Sequence, residues 1–559
     1  MSAEWTKYYQ PGSPAEIVLP TDPVCEILET AVAEAKDKVA LQFFGRTTTY
    51  TELGEQVNRA AEGLRRLGVK AGDRVALVLP NCPQHVVAFY AVLRLGAIAV
   101  EHNPLYTPRE LRHMFEDHAA RVVICWDAAV EKLRGQPRDI EVEHIVSVSL
   151  LKAMPGYMNF ALHLPIPKLK ALKDKLSGPA RDTISWEKLL EAPPLDPTHP
   201  YPDVHDPAML LYTSGTTSLP KGALLSHYNL YANARQGEAW MIEAETGKEN
   251  LYAILPMFHA FGMTLYLTFG ILKQTRMILF PTFDADMVLK EAKKYPPNIY
   301  CAVPPIYQKT AERAEELGIS LKEAKFCISG AMNLPDATVE KWESMSGGLL
   351  VEGYGMTEAS PICTGNPFYP TRRTGTIGIP FPSTNMKVVD PDDPTVEVAQ
   401  GERGELLIQG PQVFMGYWNN PDETERTLLP GGWLRTGDLV EVDADGFVTL
   451  VDRVKELIIT GGFNVSPSEV EAVLRSHPDV ADVAVVGIPL AKGGEKVVAA
   501  VVSKEGAPFN SEELRSYSRT RLAAYKVPKV VVQIPELPKN MMGKVLRKEV
   551  REKLIERGV

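Results

Sequence analysis

From Arg74 onward the chain alternates two kinds of text, and this alternation constrains its fold more than any other feature. RVALVLPN is a short aliphatic run of the kind that forms a buried strand, and CPQHVVAFYAVLRLG behind it has helical spacing and closes on Gly96. AIAVEHN then reads as a strand, ELRHMFEDHAA as a helix and RVVICWD as another strand. Buried strands separated by helices predict layered α/β sheets. A chain of 559 residues is too long for one ordinary core, so at least two domains are expected.

After Gly410 the helical text thins. LVEVDADGFVTLVDR reads as a hairpin with Asp445-Gly446 as its turn, which predicts a β-rich subdomain. Gly461-Gly462 is a flexible dipeptide, and Ser466-Pro467-Ser468-Glu469 combines an N-cap, a Pro at the first helical position and a capping Glu. A helix (SEVEAVLRSH), two strands (DVAVVGIP and KVVAAVVS), a helix capped near Asn510 and a last strand (KVVVQIP) follow. This is the content of a small α+β domain of about 100 residues. The expected division is 1–453 and 454–559. Between 151 and 179 the rhythm breaks into a stretch mixing Pro, large apolars and five lysines, which reads as an insertion.

Composition narrows the class. With 45% apolar and 23% charged residues the chain is neither disordered nor an integral membrane protein, and a net charge of -10 supplies no field for nucleic acid. The most apolar window, FGMTLYLTFGIL from Phe261, stops at Lys273, too short to span a bilayer. The opening MSAEWTKYYQPGS lacks the basic-then-apolar pattern of a signal peptide. Six cysteines without a CxxC pair suggest neither zinc nor a disulfide framework, and read as reduced core thiols of the cytoplasm.

The strongest local signal is AMLLYTSGTTSLPKG at 208–222. An apolar strand runs into Thr213, Ser214, Gly215, Thr216 and Thr217, then Lys221. Glycine lets backbone N–H groups approach an anion, hydroxyls add donors and the lysine adds charge, which suits a polyphosphate. The order of residues is not that of a Walker A loop, and a polar surface hairpin is the plainer alternative.

The loop resembles the phosphate loop of the adenylate-forming superfamily: acyl-CoA synthetases, firefly luciferase and peptide synthetase adenylation domains. The resemblance continues in order through LPMFHAFGM, SGAMNL, YGMTEAS, GWLRTGDLV, VDRVKELI and LPKNMMGKVLR, and covers nearly the whole chain. It implies an enzyme that uses ATP, Mg2+ and coenzyme A, with a C-terminal domain that moves between two half-reactions.

Residue by residue, the resemblance makes Thr213 to Thr217 and Lys221 the polyphosphate loop. Gly330 and Ala331 line the adenine pocket, with Asn333 standing where many members carry Pro. Gly353, Tyr354, Gly355 and Met356 continue that pocket, Tyr354 offering a flat face to adenine. Thr357 donates to the α-phosphate, and Glu358, with Thr217, is a hard oxygen ligand for magnesium. Asp438 and Arg453 hold the ribose, Lys455 is the interdomain hinge and Lys544 stabilises charge during adenylation. Gly461, Gly462 and Phe463 meet coenzyme A. His259 orients the acid at the mouth of an acyl pocket formed by Phe258, Ala260, Phe261 and Gly262; a hydrogen-bonded core histidine is the plainer alternative.

The wording from RTGDL to SEVE, with YKVPK at 525–529, is similar to bacterial long-chain fatty acid CoA ligases. Expected partners are therefore fatty acid, ATP and CoA, with no nucleic acid, and a homodimer is left open. Aryl or medium-chain CoA ligases, fatty acyl-AMP ligases and a non-catalytic nucleotide or acyl-AMP binder are the rivals. Lysines beside large apolars make 151–179 a candidate for peripheral contact with the inner face of the membrane, against a strap packed on its own domain.

Overall fold

RVALVLPN forms the strand Arg74–Val78 at the centre of a sheet, because four consecutive residues, Val75 to Val78, are shielded completely from solvent. Ile98–Glu101 and Val122–Trp126 flank it, both parallel. The intervening helices are Pro83–Arg94, opened by proline, and Pro108–His118, where Thr107 and Glu110 close a capping box. Gly96 takes φ +65° just past the first helix, a left-handed stop that glycine adopts without strain.

The structure, a computed structural model, describes residues 4–135, 140–213, 220–460, 463–490, 494–541 and 543–559. The described residues fall into two units: 4–213, 220–385 and 409–434 in the first, 386–408 and 435–559 in the second.

The first unit holds two large sheets. One runs Gly416–Tyr417, Lys221–Ser226, Pro207–Thr213, Ile98–Glu101, Arg74–Val78, Val122–Trp126, His144–Val148 and Ile184–Ser185 in spatial order. Its first three strands are antiparallel to one another and the rest are parallel. The other sheet has a parallel block, Leu349–Gly355, Phe326–Ser329, Ile299–Ala302, Asn250–Ala253, Arg276–Leu279 and Val39–Phe43. Antiparallel strands finish both of its edges. Its core is aromatic: Tyr300, Tyr307 and Trp342 pack edge and face, and each polar tip is hydrogen-bonded, Tyr307 to the Tyr300 carbonyl and Trp342 to the Cys327 sulfur. All six cysteines are free and buried, as expected.

The most apolar window is the helical path Ala260–Leu272, whose middle, Met263–Phe269, is a wide π turn with every residue buried. The Gly270 N–H donates to the Leu265 carbonyl, five residues back. Among the described residues no helix is long and apolar enough to cross a membrane.

The hairpin strands Trp433–Val442, of which the second unit holds the part from Arg435, and Val448–Arg453 pair Val442 with Val448. The turn is therefore longer than the expected two residues. The Asp443 carboxylate accepts from the N–H groups of Asp445 and Phe447, and Gly446 takes φ +91°. Helix Pro467–Arg475 begins at Ser466, whose hydroxyl oxygen accepts from the Glu469 N–H as expected. The Glu469 carboxylate instead takes Lys526 at 2.6 Å, because a full ammonium outcompetes a cap N–H. Val480–Pro489, Glu495–Ser503 and Val530–Gln533 form a three-stranded sheet, with Asn510 capping the helix Ser511–Arg519.

The 151–179 stretch folds as short helices, Gly156–Ala161 and Pro167–Leu176. Leu151, Met154, Leu162 and Leu176 are buried, whereas Tyr157 and Phe160 are 76% and 72% exposed.

Candidate active site

Parallel strands put their C-terminal ends on one edge of a sheet, where open loops gather side chains. In the first unit three expected segments start from such ends: Pro256–Gly262 follows Asn250–Ala253, Gly330 and Ala331 follow Phe326–Ser329, and Thr357 follows Leu349–Gly355. They converge. A Cβ on Gly330 would meet the Phe261 ring at 3.0 Å and the Gly353 carbonyl at 3.3 Å, so this glycine lets the segments carrying Phe261 and Gly353 approach each other. Ala331 is held at φ +65°, a strained conformation for a residue with a Cβ. The Thr264 hydroxyl donates to the Ser360 carbonyl, tying the π turn to the segment after Glu358.

His259 is exposed and caps this helix: its Nδ1 accepts from the Phe261 N–H, which leaves Nε2 as the N–H donor of the neutral ring. Ala260 and Gly262 are buried, Phe258 and Phe261 half-buried. A Cβ on Gly262 would lie 2.1 Å from the Pro256 carbonyl oxygen, so only glycine fits. The loop before His259 is clamped by Asn81, which sequence reasoning missed. Its amide donates to the carbonyls of Ala253 and Leu255 and its oxygen accepts from the Met257 N–H at 2.8 Å.

Glu358 is buried in a short turn, Thr357–Ala359, and accepts a 2.6 Å hydrogen bond from the Tyr417 hydroxyl. Tyr354, Met356 and Thr357 are half-buried and Gly355 is exposed. Thr213 and Lys221 face each other across the antiparallel pair that opens and closes the phosphate loop. Ser214, Gly215, Thr216 and Thr217 lie outside the described residues, as do Gly461 and Gly462; of Phe463 only the backbone is described, in a strand with Ile458–Thr460. The Lys221 ammonium meets Glu423 and lies 4.6 Å from the Tyr417 ring centre.

The second unit carries the remaining groups. The Glu405 carboxylate grips Arg435 and accepts from the Gly437 N–H, shaping the turn from which Asp438 projects. Asp438 and Arg453 are register partners, with Arg453 Nε 3.2 Å from the Asp438 carboxylate. Lys544 follows Gly543 in a tight turn closed by Asn540, whose side-chain oxygen accepts from the Lys544 N–H. Burial pushes its ammonium down to about 8, helped by Arg453 and opposed by Glu456 and Asp438. Lys455 is exposed in a short turn, Val454–Glu456, and its neighbour Glu456 is bound by Arg547, which also grips Glu471. Within the first unit, a buried hard carboxylate and a cationic strand end are groups that suit a metal and a phosphate; within the second, a carboxylate-guanidinium pair and a depressed ammonium are groups that suit a sugar and a developing negative charge.

The AMP-binding enzyme family model matches residues 28–418, and the AMP-binding enzyme C-terminal domain model matches 469–544. The chain is 38% identical to the long-chain-fatty-acid–CoA ligase of Bacillus subtilis, over 99% of this chain and 98% of that one. The anthranilate CoA ligase AuaEII, solved with anthranoyl-AMP, superposes with a TM-score of 0.81 at 27% identity, covering 97% of this chain and 99% of that one. The Mycobacterium tuberculosis fatty acyl CoA synthetase does so at 0.74 and 27%, covering 96% and 99%.

Proposed function

The chain belongs to the AMP-binding enzyme family, and from that premise we propose that its acid is a long-chain fatty acid, carried through acyl-AMP to acyl-CoA. It is an AMP-forming acid–thiol ligase that consumes ATP and CoA and releases pyrophosphate and AMP. The observation that carries the substrate class is the end-to-end likeness to the Bacillus ligase, which spans both units. The Lys544 ammonium would stabilise charge as the carboxylate attacks the α-phosphorus in line and pyrophosphate departs. Asp438 and Arg453 would hold the ribose, Tyr354 the adenine and Thr357 the α-phosphate, while His259 Nε2–H orients the acid. Glu358 fits a magnesium ion, being a carboxylate already oriented by Tyr417; the ion would screen the phosphate charge.

For the second half-reaction we place the pivot at Lys455 and the moving part at 454–559, with Gly461, Gly462 and Phe463 meeting the pantetheine arm. Acid-dependent ATP–pyrophosphate exchange over acids from acetate to oleate and benzoates tests the substrate class. Exchange confined to short or aromatic acids would overturn it, and pyrophosphate release with acyl-AMP accumulating and neither AMP nor thioester formed in the presence of CoA would favour an acyl-AMP ligase. The likeness to an anthranilate CoA ligase structure is what keeps the aryl alternative in the panel.

A second reading concerns location, in the cytoplasm and against the inner membrane face. Tyr157 and Phe160 are exposed, as are Lys168, Lys170 and Lys175 further along the same stretch, with Lys173 half-buried, and each lysine near anionic headgroups adds on the order of 1 kcal/mol. Binding to phosphatidylglycerol vesicles at low salt, lost when these four lysines become Gln, is expected. Binding indifferent to the substitutions would remove the idea.

A further inference from the structure

Two side chains of the GYWNNPDETE stretch, Tyr417 and Glu423, engage groups assigned to the nucleotide and its metal: Tyr417 orients Glu358, and both meet Lys221. Strand Gly416–Tyr417 adds to the outer edge of Lys221–Ser226, pairing Tyr417 with Ala223, and the Trp418 N–H donates to the Gly222 carbonyl at 2.7 Å. This lays Tyr417 alongside the closing end of the phosphate loop. Its hydroxyl donates to Glu358 at 2.6 Å, while its ring carries the Lys221 ammonium. Glu423, in the short helix Pro421–Thr427 capped by Asn420, meets the same ammonium at 2.5 Å, with Arg426 3.7 Å from its other oxygen. One lysine therefore sits between a carboxylate and an aromatic face, and that face belongs to the residue that holds the proposed metal ligand.

A lysine ammonium has three donors, but a polyphosphate and Glu423 are both anions seeking the same small cation. Resting on the adenylation reading, we propose that Glu423 is the counter-ion Lys221 exchanges for a phosphate oxygen, and that Tyr417 is a positioning residue keeping Lys221 and Glu358 in register. Glu423 thus sets how tightly the loop holds polyphosphate, both ATP on entry and pyrophosphate on exit. The pair is half-buried, with the lysine and glutamate side chains 19% and 21% exposed, so the exchange is neither screened away nor locked.

Calorimetric titration of the full chain with pyrophosphate, and with ATP with and without Mg2+, tests this. Glu423→Gln is expected to tighten pyrophosphate about 3- to 10-fold, and Glu423→Ala to move it in the same direction. The gain is expected to vanish in a Lys221→Gln background. Tyr417→Phe is expected to leave metal-free ATP binding within twofold (~2-fold) but to raise several-fold the Mg2+ concentration for half-maximal ATP binding. Unchanged or weaker pyrophosphate binding in both Glu423 variants overturns the exchange, and an unaltered Mg2+ dependence in Tyr417→Phe overturns the positioning role. A native chain that binds neither ATP nor pyrophosphate overturns the adenylation reading itself, a result distinct from both.

Discussion

If Lys544 acts as an ammonium, adenylation must follow its protonation. Burial lowers this lysine from 10.5 to about 8, with Arg453 as the second cause. A group with a depressed value loses its proton as pH rises through about 8, not through 10.5, so the active form fades on the alkaline side. At pH 7 about 90% of a lysine titrating at 8 is charged and at pH 9 about 10%, whereas an ordinary lysine is still about 97% charged. Acid-dependent ATP–pyrophosphate exchange should therefore fall close to tenfold between pH 7 and 9 (~10-fold). The other half-reaction supplies an internal control: CoA attack on added acyl-AMP rises over the same range, because the attacking thiolate becomes more abundant. Lys544→Arg keeps its charge at pH 9 and should flatten the alkaline limb at a lower plateau; Lys544→Ala should abolish exchange but leave thioester formation nearly intact. Exchange that stays level to pH 9 in the native chain, or equal damage to both half-reactions in Lys544→Ala, would refute the reasoning.

If Lys455 is the pivot proposed above, Lys455→Pro should preserve adenylation and slow thioester formation at least ~10-fold, because only the second step would then require the backbone there to rotate; single-turnover measurement of each half decides it. Asn81→Ala breaks three buried hydrogen bonds to the loop before His259. It should cost about 2–4 kcal/mol, read as a lower denaturation midpoint, with a raised KM for the acid. Gly262→Ala would press a methyl to 2.1 Å from the Pro256 carbonyl and should abolish binding of the acid while ATP binding survives; wild-type acid affinity would show that the loop yields.

How much of this was legible in the sequence depends on the distance over which each feature is decided. The strand at Arg74 and the helix closing on Gly96 are written locally, in aliphatic runs and stop residues, and they are found where that text places them. The Ser466 cap is equally local. The fate of Glu469 is not: its partner Lys526 is 57 positions away, and no cap pattern announces it. The same holds for Asn81, whose partner Met257 is 176 positions on, and for Tyr417, 59 positions from Glu358. Both are ordinary residues at strand ends until the sheets close. Asp443 shows the limit at short range too, since Asp445-Gly446 is a sound turn signal that a neighbouring carboxylate converts into a wider loop. Of the site, the cationic and acidic groups were marked by resemblance, while the side chains that aim them became visible only in three dimensions.

The wide turn at Met263–Phe269 gives the segment before it, proposed to line the acyl pocket, an unusual sensitivity to the number of residues it contains. A π turn is an α-helix carrying one surplus residue, so deleting a single position there lets the helix rewind into the regular form. Everything on the N-terminal side would then rotate by about 100° and shift by about 1.5 Å against Gly270–Leu272. Phe261 would swing off Gly330, and His259 would cap a different face. Substitutions at the pocket wall alter its shape one side chain at a time; a one-residue deletion would re-aim the whole wall at once. For anyone evolving this scaffold toward a new acid, indels within that stretch explore geometries that point mutations cannot reach.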